Sequence, residues 1–353
     1  MKRGARIAFL ALCAGLLSAA PPLVSLARSH KQVELPPPPP PPPPPGPVGL
    51  PPAMVDDAAA YASWMEKTTA INPAFSSAAD VSAALALASS FEPKALLRGA
   101  VAYGAIAALQ SGEFVASVRA AGPTPDARAT LINTIIEKPA TVFAFAGAEQ
   151  AAGYAEAVLG GDGMRLFLAG GRVRQASYDV QRQDWSKVYV VDPDGRLARA
   201  KAASEAPPAP DPARSAVLTQ AASGATPMGL AADPAKAPYT PLIARTLQLA
   251  AIAALGEASD QTYAQILDYL TFQQDAGQCL DMAKLNLFQC LAVARPNYED
   301  IFCTGQHAMR DTGECLARGA GVIMPLELDT PEPLRVPAAV QHTAYHRHYS
   351  RRR

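Results

Sequence analysis

Four cysteines in the last quarter of the chain, Cys279, Cys290, Cys303 and Cys315, constrain the fold more than any other feature. Cys279 and Cys290 are eleven positions apart. In an α-helix eleven residues return to within about 20° of the same face while rising about 16.5 Å. The stretch between them reads as helix, and a disulfide needs its α-carbons within about 7 Å, so each must pair elsewhere. Cys303 and Cys315 are twelve apart, and the midpoints of 290–303 and 279–315 nearly coincide at Arg295-Pro296-Asn297. A chain folded back there sets Cys290 beside Cys303 and Cys279 beside Cys315, the nested one of three possible connectivities.

The layout resembles the twin-cysteine helical hairpins of the coiled-coil-helix family, here with ten and eleven residues inside the pairs. That resemblance covers only 279–315 and implies geometry alone. Twelve positions overshoot whole helical turns by about 120°, so Cys315 leaves the face of Cys303 unless the second arm is irregular. Gly313 is expected to end or bend that arm early. The competing use of these cysteines, a zinc site completed by His307, is disfavoured in an oxidising compartment.

That compartment is indicated at the start of the chain. Residues 1–27 read as a signal peptide: Lys2, Arg3 and Arg6 precede an apolar run, Ile7 to Leu17, and Ser25-Leu26-Ala27 offers the small residues a signal peptidase reads. Removing it takes away Cys13 and leaves four cysteines. The rival is an uncleaved anchor over Ile7–Leu26, which Pro21-Pro22 interrupts. A proline-rich spacer, 28–54, follows, and its ten consecutive prolines, Pro36–Pro45, dictate a polyproline II rod of about 31 Å.

The body is expected to be all-α: a multi-helix bundle with a disulfide-stapled C-terminal hairpin. Alanine is abundant and aromatic residues make up only 7%, which favours close-packed helices. The N-terminal helical domain, 55–190, holds segments at Asp56–Lys67, from a Ser77 cap, from Pro93 to Gln110, at Glu113–Ala120 and at Asp126–Lys138. Two more, Thr141–Leu159 and Met164 toward Trp185, are divided by Gly160-Gly161-Asp162-Gly163. Val188–Val191 with Asp192-Pro193-Asp194-Gly195 reads as a strand and turn. Residues 191–238 form a Pro/Ala-rich connector. The C-terminal block, 239–320, starts at a Thr240 cap with Pro241 at the first helical position, has a helix ended by Gly277, and closes with the hairpin. Residues 321–353 form an extended basic and histidine-bearing tail.

Little of this carries chemistry. With 31 basic and 31 acidic side chains, nothing global draws the chain to nucleic acid. No Gly-x-Ser-x-Gly, phosphate-binding loop or haem-attachment pattern occurs, so no cofactor and no metal is expected. Glu149 is the weak catalytic candidate: on an apolar helix face near Phe143, Phe145 and Tyr154, a carboxyl could act as general acid, as in all-helical muramidases and lytic transglycosylases. The solvent stripe of an amphipathic helix explains Glu149 and Glu156 equally. In the tail, His342, His346 and His348 could ligate a metal, and Arg347, Arg351, Arg352 and Arg353 could bind an anion. The chain resembles Ala- and Pro-rich secreted envelope proteins of high-GC Alphaproteobacteria, most in CLDMAKLNLFQC to CTGQHAMRDTGEC, which implies no activity. The expectation is therefore an exported, periplasmic or envelope protein with a structural or binding role. Its partner would be an anionic envelope polymer or another envelope protein, and a membrane only through an uncleaved leader. Peptide mapping without reduction should recover 279–315 and 290–303; a 279–290 link would overturn the helical reading of the first arm.

Overall fold

The computed structural model describes residues 44–325 apart from Asp260. The signal peptide, most of the proline run and the metal- or anion-binding tail residues lie outside the described residues. Pro52–Thr69 (α1), Ala78–Ser89 (α2), Pro93–Ala108 (α3), Gly112–Ala121 (α4) and Pro125–Glu137 (α5) come first. A 3-10 turn at Pro139–Ala144 leads into the longest helix, Ala148–Asp179 (α6), followed by the short Asp184–Lys187 (α7). Pro193–Glu205 (α8), Pro212–Ala222 (α9), Pro241–Ala254 (α10) and Ala264–Thr271 (α11) lead to the hairpin. Its first arm is Gln274–Val293 (α12); its second runs without a break through Asn297–Cys303 (α13), a π-helical segment Thr304–Asp311 and Thr312–Gly319 (α14). Among the described residues the only β pairing is an isolated bridge, Tyr189 to Pro296.

The helix starts follow local chemistry. Side chains of Ser77, Ser111, Thr124, Asp192, Asp211 and Thr240 accept backbone N–H bonds from the first turns, and proline opens α1, α3, α5, α8, α9 and α10, where its missing N–H costs nothing. Several expected boundaries are corrected. Asp192 caps α8, so Asp192-Pro193-Asp194-Gly195 opens a helix and is no strand-ending turn. The expected connector contains α8 and α9, which pack on α2, α12 and α1. The first helix starts four residues before Asp56, and the end of the spacer is anchored: Arg119 donates to Gly46 O at 3.1 Å and to Ala254 O at 2.9 Å, and Leu50 is buried. Gly277 lies in the first turn of α12 and ends nothing.

The Gly160–Gly163 run does not divide two helices; α6 passes straight through it. These glycines are there for packing. A Cβ on Gly163 would stand 2.7 Å from Gly313 O, and one on Gly313 would stand 2.6 Å from Gly163 O. Two turns along, a Cβ on Gly170 would meet Arg310 N at 2.5 Å, and one on Gly305 would meet Gly170 O at 2.9 Å. The second arm thus lies antiparallel on α6, backbone against backbone. On α6 the glycines are seven positions apart, and on the arm eight. The π segment reconciles the two spacings, because its i→i+5 pattern takes up one extra residue. The cysteines obey the same rule: twelve positions from Cys303 to Cys315 match eleven from Cys279 to Cys290. The expected irregularity therefore lies in 304–311, not in an early stop at Gly313. The bonds are Cys279–Cys315 and Cys290–Cys303, with α-carbons 5.6 and 5.7 Å apart.

One apolar cluster runs from Leu50 to Ala320, so the N-terminal and C-terminal blocks share a core. Helix α3 is buried almost throughout and packs against α1, α6 and α10. The hairpin contributes Leu280, Leu287, Leu291, Ile301 and Met309, all fully buried. Gly170→Ala should destabilise the protein by about 1–3 kcal/mol, because the helix backbones must part. Gly171→Ala, one residue on, meets only the Arg310 guanidinium tip at 3.5 Å and should gain up to about 1 kcal/mol from helix propensity. Urea denaturation of the two variants checks this contrast.

Candidate functional site

Glu149 stands in the first turn of α6, exposed to solvent, on the wall of a recess of about 600 Å³. Two helix starts build this recess. Ser111 caps α4 and its hydroxyl donates to Gly147 O at 3.1 Å. Gly147 takes φ +76°, and a Cβ there would lie 2.5 Å from Phe114 N, so only glycine fits this junction. The 3-10 turn before α6 presents Phe143, whose ring stacks on Tyr239 with centroids 3.9 Å apart and planes 4° from parallel. A non-helical strap closes the other side: Ala235 N–H donates to Glu149 O at 2.9 Å, and Gln150 Nε2 donates to Ala232 O at 3.0 Å.

The walls carry Glu113 and Glu149, Phe143, Phe145 and Tyr154, and no lysine or arginine. Burial pushes the Tyr239 phenol up, and the charges of Glu149 and Glu156 add to this. Burial also raises the Glu156 carboxyl. Such a recess can stack a flat apolar face on its rings and accept hydroxyl or ammonium protons at its carboxylates. Glu149 itself is exposed to solvent.

No protein-family model, curated protein sequence or solved structure matches the chain.

The other expected chemistry falls away or lies elsewhere. The four hairpin cysteines are consumed in disulfides, as befits an oxidising compartment. His307 Nδ1 pairs with Asp311 Oδ2 at 2.7 Å inside the π segment, so the zinc alternative has lost its ligands. Among the described residues no three His, Cys, Asp or Glu side chains gather as metal ligands, and no single helix is long and apolar enough to cross a membrane.

Several charged side chains are buried without a sequence reading that predicts them, among them Asp162, Arg196, Asp300 and Lys284. Asp162, inside the α6 glycine run, pairs with Arg165; burial raises its carboxyl and drives the neighbouring Tyr61 phenol well up. Arg196 of α8 pairs with Asp300 of α13 and donates to Leu291 O and, at 3.3 Å, to Ala294 O. Lys284 of α12 is 5% exposed and donates to Ser89 O at 2.7 Å and Ser204 Oγ at 3.0 Å. One signal for Lys284 was present: Leu280, Lys284, Leu287 and Leu291 follow one helical stripe. Arg196 and Asp300 are 104 positions apart, and no local pattern joins them.

Burial pushes the Asp300 carboxyl up to about 6, with the Arg196 charge opposing it. An unfolded aspartate titrates near about 3.9, so between about pH 4 and 6 the folded protein holds a proton that the unfolded chain releases. On this group's account stability falls as pH rises through that window. Denaturation profiles at about pH 4 and 7 should show this slope in the parent and lose it in Asp300→Asn. Asp300→Ala, which leaves the Arg196 guanidinium buried without its counter-charge, should cost about 3–5 kcal/mol at about pH 7.

Proposed function

We propose that this is an exported protein of the cell envelope that acts by binding an envelope polysaccharide. The recess would take the sugar rings, and the His/Arg tail would contact anionic groups of the same polymer. The observation that carries this reading is the make-up of the recess. Phe143, held by its parallel stack on Tyr239, gives with Phe145 and Tyr154 an aromatic lining for the apolar side of a sugar ring. Glu113 and Glu149 give acceptors for its hydroxyls. The two disulfides support export, and the charge balance of the whole chain leaves the tail as the concentrated basic stretch.

A second reading, a glycan hydrolase using Glu149, has one observation in its favour: Glu149 faces an open recess with aromatic walls and is not closed into the core. Purified peptidoglycan sacculi distinguish the two. Under the binding reading the oxidised protein co-sediments with sacculi, Phe143→Ala with Glu149→Gln lowers retention by about tenfold, an effect near 1.4 kcal/mol, and zymograms stay uncleared. Deleting residues 340–353 should make the remaining retention insensitive to salt. A clearing band that disappears in Glu149→Gln would instead establish the hydrolase.

A further inference from the structure

A second cleft, of about 320 Å³, lies where α8 and the first hairpin arm meet the start of α3. It is far from the recess in composition and shares none of its residues. Pro93, Leu285 and Phe288 form its apolar side, and Ser204 and Lys284 also line it. The arrangement of those two is unusual for a buried lysine. Lys284 Nζ stands 3.0 Å from Ser204 Oγ and 2.7 Å from Ser89 O, and it sits 3.5 Å from the centre of the Phe91 ring. No carboxylate is among these partners. The nearby Glu92 carboxylate is occupied at the start of α3, accepting from Lys94 N at 3.0 Å and Ala95 N at 2.6 Å. Glu205 and Asp281 also line the cleft, without pairing to Lys284.

A buried ammonium without a counter-charge is costly, and a neutral amine is the cheaper form there. Burial accordingly drives the Lys284 amine well below its ordinary range, with the Glu92 charge opposing. A neutral amine at hydrogen-bond distance from a hydroxyl is a base beside a nucleophile, and the Ser89 carbonyl fixes the amine's direction. The Ser204 hydroxyl accepts from Lys284 Nζ and has two carbonyls in reach of its own proton, Ser89 O at 3.0 Å and Ala200 O at 2.7 Å; once the amine is neutral, the same 3.0 Å contact lets the hydroxyl turn its proton to the nitrogen lone pair. Lys201, three residues before Ser204 on the same face of α8, lines the cleft as well, with its ammonium 5.8 Å from the centre of the Phe288 ring.

We propose that Ser204 and Lys284 form a serine–lysine dyad for acyl transfer, with small esters of apolar acyl groups as its substrate class. Ser204 Oγ bonds to the ester carbonyl carbon while its proton passes to Lys284 Nζ. The Lys201 ammonium faces the negative charge that develops on the carbonyl oxygen. As the carbon–oxygen bond to the alcohol breaks, Lys284 returns the proton to the departing oxygen, which leaves as the alcohol. Water then repeats the sequence: it loses a proton to Lys284, attacks the acyl carbon and releases the acid, and the proton goes back to Ser204. Leu285, Phe288 and Pro93 hold the acyl chain. This proposal does not rest on the polysaccharide reading, since it uses another site and another probe.

The test is covalent labelling of the oxidised full chain with diisopropyl fluorophosphate, followed by mass mapping. One adduct is expected, on Ser204, absent in Ser204→Ala. Lys284→Met should slow labelling by at least about 100-fold, the usual lower range for a general base, and Lys201→Met, at the edge of the cleft, should slow it less. The labelling rate of the parent protein should level off at a pH well below the ordinary lysine value of about 10.4. No adduct on Ser204, or an equal rate in Lys284→Met, overturns the dyad. Should Lys284→Met not fold, the parent's pH profile decides: a rate still climbing tenfold per unit at about pH 10 overturns it too.

Discussion

The contact of α6 with the second hairpin arm, backbone on backbone through Gly163, Gly170, Gly305 and Gly313, is what the rest of the molecule is registered against. Interiors are close-packed, so two helices can approach this nearly only where no side chain stands between them. The price of putting glycine inside a helix is about 1 kcal/mol per residue in propensity, and it is offset only if all four positions meet. They meet because the π segment adds one residue to the arm. The same added residue turns Cys315 onto the face of Cys303, so the disulfides and the glycine contacts depend on one irregularity. In the loop-entropy account the bridges contribute about 3 and about 4 kcal/mol, less in sum because the inner loop lies within the outer one. They hold the first arm to the second, and the second is already seated on α6.

Charges inside the fold divide by how they are compensated. Arg128 and Glu257 meet at 2.5 Å, and Arg196 meets Asp300, each pair joining segments more than a hundred positions apart. Such pairs add little net stability, since desolvation consumes most of the attraction, but breaking one leaves a buried charge alone. They therefore act as registration pins between α5 and the end of α10, and between α8 and the hairpin. Lys284 differs in kind: carbonyl, hydroxyl and ring partners satisfy its N–H groups without neutralising a positive charge. A group satisfied in geometry but not in charge gives up its proton more readily than an exposed lysine.

The all-α class, the nested cysteines and the starts of α2, α3, α4, α5 and α10 are legible, to within a residue, because each rests on short-range rules: helical period, capping side chains and proline at the first position. The errors share a cause. Gly160-Gly161-Asp162-Gly163 was read as a break because isolated glycine weakens a helix, whereas its partner, 150 positions away at Gly313, was invisible from local sequence. Asp192 was read into a turn because Asp-Pro-Asp-Gly fits a turn as well as a cap, and only the helix that follows decides. The connector was read as a link because prolines hide helices that begin at Pro193 and Pro212. Glu149 was picked from its apolar neighbours; its solvent exposure comes from standing at a helix start, which the expected start at Thr141 had concealed.

Both concave sites lie where sequence reading is weakest, and the reason is structural. The recess is assembled from the start of α4, the 3-10 turn before α6 and the strap at 232–239. The second cleft draws on the start of α3, the last turn of α8 and the outer side of α12. Both hollows take part of their lining from helix ends, the starts of α3, α4 and α6 and the last turn of α8, and the second adds the middle of α12. The segment that reads as a connector thus shapes the recess: held by Ala235 N–H on Glu149 O and by Tyr239 stacked on Phe143, it brings Pro234 into the wall beside the two helix starts.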